Sequence, residues 1–154
     1  MKKKNRKKLI IIVSSIVLFI GIVLAIGFIS EANRQENIIG KVSNYVQDKA
    51  YYGKEADSDY VMTLTFHKNT ENKLTVNFGK ESIQDVYYTF KGTYKLYFKN
   101  SQLYMDVDYY ADALDDLNFK KETFKINYKR NGDITQLVNL GEEGQTSTFT
   151  LSNE

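Results

Sequence analysis

The chain has 154 residues, with 21 Lys and Arg against 19 Asp and Glu, a single His, and no Cys, Pro or Trp. Without cysteine there are no disulfides, thiolate metal sites or lipid-modified cysteine, and one histidine rules out a multi-histidine metal centre. The net charge of +2 hides a division: six basic residues precede Leu9, and beyond it 15 basic residues face 19 acidic ones, a balance near −4 that lacks the basic surface nucleic-acid binding requires.

Residues 1–8 form a basic head carrying Lys2, Lys3, Lys4, Arg6, Lys7 and Lys8. Leu9–Ile29 then runs for 21 residues without a charge. As a helix rising about 1.5 Å per residue it spans roughly 31 Å, enough for a hydrocarbon core of about 30 Å. Basic residues flanking a span stay on the cytoplasmic side, so the pattern predicts a single-pass signal-anchor with its N-terminus inside and the remainder extracytoplasmic, at the cell membrane. A cleaved signal peptide shares the basic start and apolar centre, and the alternative is secretion after cleavage. Small residues at Ala25 and Gly27, or Ser30 and Ala32, offer cleavage sites, but a signal's apolar region usually has about 7 to 15 residues. Gly21 and Ala25 form a small-xxx-small pair through which two helices can approach, yet such pairs arise by chance in apolar segments, so a homodimer through this face is a minor reading.

Residues 30–37 are polar and read as a short linker, and residues 38–154 as one extracytoplasmic domain. In Ile38–Val46 the apolar positions Ile38, Ile39, Val42, Tyr45 and Val46 suit a helix about as well as a bent first strand. Asp48–Asp59 is charged, contains Gly53, and reads as a loop holding Tyr51 and Tyr52.

From Val61 the period is two. Met62, Leu64 and Phe66 alternate with Val61, Thr63 and Thr65, and Leu74, Val76 and Phe78 follow a polar turn, which predicts a hairpin with one apolar face. Val86–Phe98 gives the strongest strand signal, with Val86, Tyr88, Phe90, Gly92, Tyr94, Leu96 and Phe98 on one face. Gly92 at its middle predicts a bulge or bend, as where a sheet curls. Leu103–Tyr109 alternates again, and Ala111–Asn118 breaks the pattern as a loop or single helical turn. Phe124–Tyr128 and Ile134–Leu140 flank Asn131-Gly132, which suits a type I′ hairpin turn, and Thr146–Leu151 is the last strand. Seven or eight antiparallel strands joined by short turns predict an all-β meander closing into a small barrel, with a two-sheet sandwich as the alternative.

Phe90-Lys-Gly-Thr-Tyr-Lys-Leu96, a polar turn, and Leu103-Tyr-Met-Asp-Val107 resemble the Gly-x-Tyr-x-aliphatic hairpin of small, membrane-anchored, lipocalin-like β-meander proteins of bacteria. Gly40-Lys41-Val42 is similar to the Gly-x-Trp that opens many such domains, with Val in place of the Trp that plugs the barrel base. The resemblance implies a barrel behind an export segment and carries over no functional residue.

The chemistry-bearing residues point away from catalysis. His67 sits where a strand enters a polar turn, and no serine lies in a nucleophile elbow. Asp106, Asp108, Asp112, Asp115 and Asp116 make the densest acidic cluster but no calcium-loop spacing. Tyr51, Tyr52, Tyr87, Tyr97, Tyr104 and Tyr110 fall in a loop or on outer faces, where rings can stack on a partner or pair across strands. The sequence thus predicts no catalytic residues, cofactor or metal. It suggests a non-enzymatic binding or interaction module at the cell envelope, engaging an exported or membrane protein through the outer surface or loop rims. The alternative is a lipocalin-like carrier of a small apolar ligand.

Overall fold

In a computed structural model the chain is described over residues 2–54, 60–68, 70, 72–80, 86–110, 119–141 and 146–151. It divides into two compact units, Met1–Asn37 and Ile38–Glu154. Helix α1 covers Lys2–Val46, so residues 30–37, read as a linker from the sequence, are helical. Their polar side chains favour this locally: Arg34 forms a bidentate pair with Glu31 one turn back, and Gln35 donates to the same carboxylate. Every residue from Val13 to Ser30 is exposed, with Phe28 at 75% and Phe19 at 68%. Among the described residues this is one helix long and apolar enough to cross a membrane.

The second unit is a closed antiparallel barrel of eight strands in sequential order. They are β1 (Ala50–Lys54), β2 (Tyr60–Phe66), β3 (Lys73–Lys80), β4 (Val86–Lys99), β5 (Gln102–Tyr110), β6 (Phe119–Tyr128), β7 (Ile134–Leu140) and β8 (Thr146–Leu151). The sandwich alternative is thereby excluded. Strand β1 lies where the sequence suggested a loop, and it pairs with β2 on one side and β8 on the other, through Tyr51↔Leu151 and Tyr52↔Thr150.

The period-two pattern becomes inside and outside. Leu64, Val76, Met105, Phe124, Leu137 and Phe149 point inward and are fully buried. Outward positions such as Thr63, Asn77, Thr93, Lys95, Asp106 and Lys121 are polar, the reverse of a lipid-facing barrel. Opposite charges also face each other across the ladder, Lys95 with Asp106 and Asp108 with Lys121.

The ambiguous segment Ile38–Val46 is the last part of α1. Val42 and Val46, one helical turn apart, are fully buried in the barrel core, with Ile38, Ile39 and Tyr45 packed beside them. Ser43 hydrogen-bonds the Tyr94 hydroxyl from the same helical segment. Helical spacing wins here because it brings the side chains of Val42 and Val46 together at one end of the barrel. The helix stops when Asp48 takes a left-handed conformation (φ 59) and its N–H passes to the Phe66 carbonyl at 3.0 Å.

The type I′ turn expected at Asn131-Gly132 occurs instead between β4 and β5, where Asn100 (φ 50) and Ser101 (φ 60) are both left-handed. The β6–β7 connection has only Gly132 at positive φ (98), with its N–H bonded to the Lys129 carbonyl at 2.8 Å, a type I turn closed by a left-handed glycine. Gly132 also packs on Lys41, so close that a Cβ would meet the Lys41 Cβ at 2.6 Å.

Gly92 does not mark a bulge. The register runs unbroken through Leu74↔Gly92↔Tyr109, and the shift lies instead between Phe78 and Gly79. Gly92 is required by space: an added Cβ would lie 2.8 Å from the Asp108 carbonyl and 3.1 Å from the Tyr109 Cβ. Gly92→Val should therefore destabilise the folded protein by roughly 1 to 3 kcal/mol, read as a lower denaturation midpoint; an unchanged midpoint would show that β4 and β5 separate there without cost.

Candidate functional site

The helix end of the barrel is filled with apolar side chains, and the inward series changes character toward the other end. There the strands are joined by residues 55–59, 81–85, 111–118 and 142–145. On β6 the inward run Ile126, Phe124 continues to Glu122, and on β7 Leu137 is followed by Asn139, which faces Phe124. A carboxylate and an amide therefore stand on the inner face next to apolar positions, and Lys120, opposite Tyr109, is the next position of that face on β6.

The carboxylate and the amide bind each other and Tyr109. The Tyr109 hydroxyl donates to Glu122 Oε1 at 3.2 Å, and the Asn139 amide NH₂ donates to Glu122 Oε2. Asn139 is 2% exposed, and its Oδ1 has no hydrogen-bond partner among the described residues. The carboxylate fixes this orientation, because a reversed amide would set oxygen against oxygen. Among the described residues no cation pairs with Glu122. A buried acceptor left unpaired costs on the order of 1–3 kcal/mol, which marks it as a place where a donor belongs.

Aromatic rings adjoin this group. The Tyr109 ring lies 5.7 Å from Phe90 and 6.1 Å from Phe78, and Phe90 stacks on Tyr88 at 6.3 Å with planes 5° apart. Tyr88 belongs to the inward register, opposite Phe78, yet it is 46% exposed. The wall thus grades from the buried polar group to an exposed aromatic rim. Tyr88 shares the strand face that periodicity assigned to it, but near the start of β4 it is exposed. Glu122 and Asn139 were missed because strand alternation was sought only in apolar residues. Their positions two residues from Phe124 and Leu137 were the available signal.

The six sequence-selected tyrosines do not converge on this group. Tyr51 lies on β1, not in a loop, and is 1% exposed within the core, its ring 5.9 Å from Phe66. Its hydroxyl has no partner, and burial pushes it well above the ordinary tyrosine range. Tyr52 is on the outer face and 40% exposed. Tyr97 and Tyr104 are opposite each other on β4 and β5 and stack at 5.8 Å, a cross-strand pair. Tyr87 lies on β4 and Tyr110 ends β5; their side chains are outside the described set.

The outer acidic positions are also engaged. Asp106 accepts from Thr123 at 2.9 Å and from Tyr97 at 3.1 Å and pairs with Lys121 at 2.8 Å. Asp112, Asp115 and Asp116 lie outside the described residues. His67 is exposed, with Nε2 2.7 Å from the Thr75 hydroxyl. No family model, curated protein or solved structure matches this chain. Its site is therefore argued from its own atoms.

The Asp106 network has a pH signature. Burial alone would raise its carboxyl, but hydrogen bonds from Lys121, Thr123 and Tyr97 outweigh burial and hold it below the usual aspartate value. A lowered folded value contributes stability that is present above the unfolded value near pH 4 and disappears as pH falls through the folded one. Asp106→Asn should flatten the acid limb of a denaturation-midpoint profile below about pH 4. Parallel limbs for variant and wild type would show that the network carries no net stability.

Proposed function

We propose that this protein is a single-pass, membrane-anchored binding module of the cell envelope, with its barrel outside the cytoplasm and a small ligand taken at the loop end of the barrel. The carrying observation is the Asn139 Oδ1, buried and unpaired on the inner face beside a graded aromatic wall. In this it is lipocalin-like: a barrel of eight strands has room either for its own side chains or for one small ligand, and the two ends here divide those uses. The outer tyrosines support an interaction surface for an exported or membrane protein less well, because Tyr97 and Tyr104 stack on each other and the Tyr97 hydroxyl is spent on Asp106.

The proposal is of binding rather than catalysis: the Tyr109 hydroxyl and the Asn139 amide both spend their donors on Glu122, and His67 contacts a threonine on the outside of the sheet. The basic residues before the span support an inside N-terminus, and the polar outer face of the barrel suits water. Protease added to intact cells should remove the barrel and leave the lysine-rich end with the membrane. A protected barrel would overturn the orientation, and a mature chain starting near Phe28 or Asn33 would replace the anchor with a cleaved leader.

The chain has no tryptophan, so one introduced residue reports a single place. In the full chain reconstituted in phosphatidylcholine vesicles, Tyr88→Trp emission should shift saturably with at least one of hexylammonium, 1-hexanol and hexanoate, while Tyr104→Trp on the outer face should not respond. A response confined to Tyr104→Trp would move binding to the outer surface.

A further inference from the structure

We propose that the ligand taken at the loop end is an amphipathic ammonium, a primary or secondary amine carrying an apolar alkyl or aryl body. The inference rests on the binding reading above and deepens it by naming the chemical class. It follows from counting what the polar group still offers. Tyr109 and Asn139 both direct their donors at Glu122. What remains toward a ligand is acceptors: the Asn139 Oδ1, which has no partner, and the free lone pairs of the Glu122 carboxylate. A carboxylate has about four acceptor sites, and two are filled here.

The charge has the same sense. Among the described residues the cations found in ion pairs are Arg34, Lys68 and Lys121, which face Glu31, Asp48 and Asp106, and none of them pairs with Glu122. Glu122 is half-buried on the inner wall between Val107 and the Phe124–Asn139 pair, and among the described side chains no cation stands against it. An anionic headgroup would meet like charge. A hydroxyl headgroup donates one hydrogen bond and leaves the charge unneutralised. An ammonium donates two or three, satisfies both the carboxylate and the amide oxygen, and supplies the missing positive charge.

The aromatic wall suits the same ligand. Phe78, Phe90, Tyr88 and the Tyr109 ring present faces and edges at centroid spacings of 5.7 to 6.3 Å. Ring faces attract a cation and accept an apolar chain, whereas they offer nothing to a carboxylate. Tyr109 joins the two halves, since its hydroxyl holds Glu122 and its ring continues the aromatic wall.

The test uses the full-length Tyr88→Trp chain in phosphatidylcholine vesicles, titrated separately with hexylammonium, 1-hexanol and hexanoate at equal ionic strength. Hexylammonium should bind at least about tenfold tighter than either of the others. In Glu122→Gln, which keeps the size of the side chain, that preference should collapse while 1-hexanol binding changes little. Equal affinities, or hexanoate binding best, would overturn the ammonium assignment and leave the loop-end site standing. No response to any of the three would overturn the site itself. Should Glu122→Gln lose its β circular dichroism, Asn139→Leu serves instead. It removes the unpaired acceptor with Glu122 intact, and hexylammonium affinity should then fall several-fold toward that of 1-hexanol; an undiminished preference would overturn the proposal.

Discussion

The pairing of β1 with β8 is the constraint on which the rest of this domain depends. Tyr51 meets Leu151 and Tyr52 meets Thr150, bringing the two ends of the domain's chain into one ladder. Closure removes both sheet edges, whose unpaired N–H and C=O groups would otherwise invite association with other chains. It also converts a two-sided sheet into an inside and an outside. Gly53 adapts β1 to this junction: a Cβ there would meet the Phe149 ring and the Thr148 carbonyl, each at 2.7 Å. The strand that closes the barrel is therefore short, and part of it is kept bare so that β8 can lie across it.

Once the sheet is closed, its two ends must be dealt with separately. One end receives the last turns of α1, where Val42 and Val46 complete an apolar core containing Phe66, Leu103 and Ile126. The same segment contributes Ser43 to the Tyr94 hydroxyl, so it is fixed by a polar contact as well as by packing. Toward the other end the inner wall becomes polar and aromatic. Two buried groups without partners among the described residues illustrate the difference. The Tyr51 hydroxyl lies among rings and aliphatic side chains, whereas the Asn139 oxygen lies beside a carboxylate held by two donors. An orphan hydroxyl alone in a core is a local cost; an orphan acceptor within an acceptor-rich, negatively charged group has a chemical complement.

That complement is what the proposed function uses. Binding inside a barrel requires that some inner positions give up apolar packing, and an inner carboxylate is among the costlier ways to do so. Its retention beside Phe78, Phe90 and Tyr109 makes sense if a cation completes it. The outer surface is organised differently, around ladders of opposite charge, the Tyr97–Tyr104 stack and the hydrogen bonds of Asp106. Stability is thus served outside by cross-strand pairs and inside by apolar filling, and the proposed recognition uses the end of the barrel where that filling gives way to Glu122 and Asn139.

Much of the architecture was legible because it is written in short-range periodicity. The uncharged run of 21 residues specifies a helix of membrane length, and the alternation along Val61–Phe78, Val86–Tyr109 and Phe124–Leu151 specifies strands with one apolar face. Local pattern also suggested closure, through the number of strands and their short turns. It did not reveal β1, because Ala50–Lys54 has five residues beside charged neighbours and is a strand by virtue of partners far away in sequence. Nor did it decide Ile38–Val46, whose apolar spacing fits helix and strand alike until the barrel end supplies a surface for Val42 and Val46. Gly92 was recognised as special, but whether it bends the chain or admits a neighbouring carbonyl depends on where β5 runs. Glu122 and Asn139 are separated by 17 positions and look like ordinary strand-surface residues. Only the register of β5, β6 and β7 turns both inward, so the polar group inside the barrel is a property of tertiary structure: strand pairing selects the face, and the face determines whether a charge meets water or the interior.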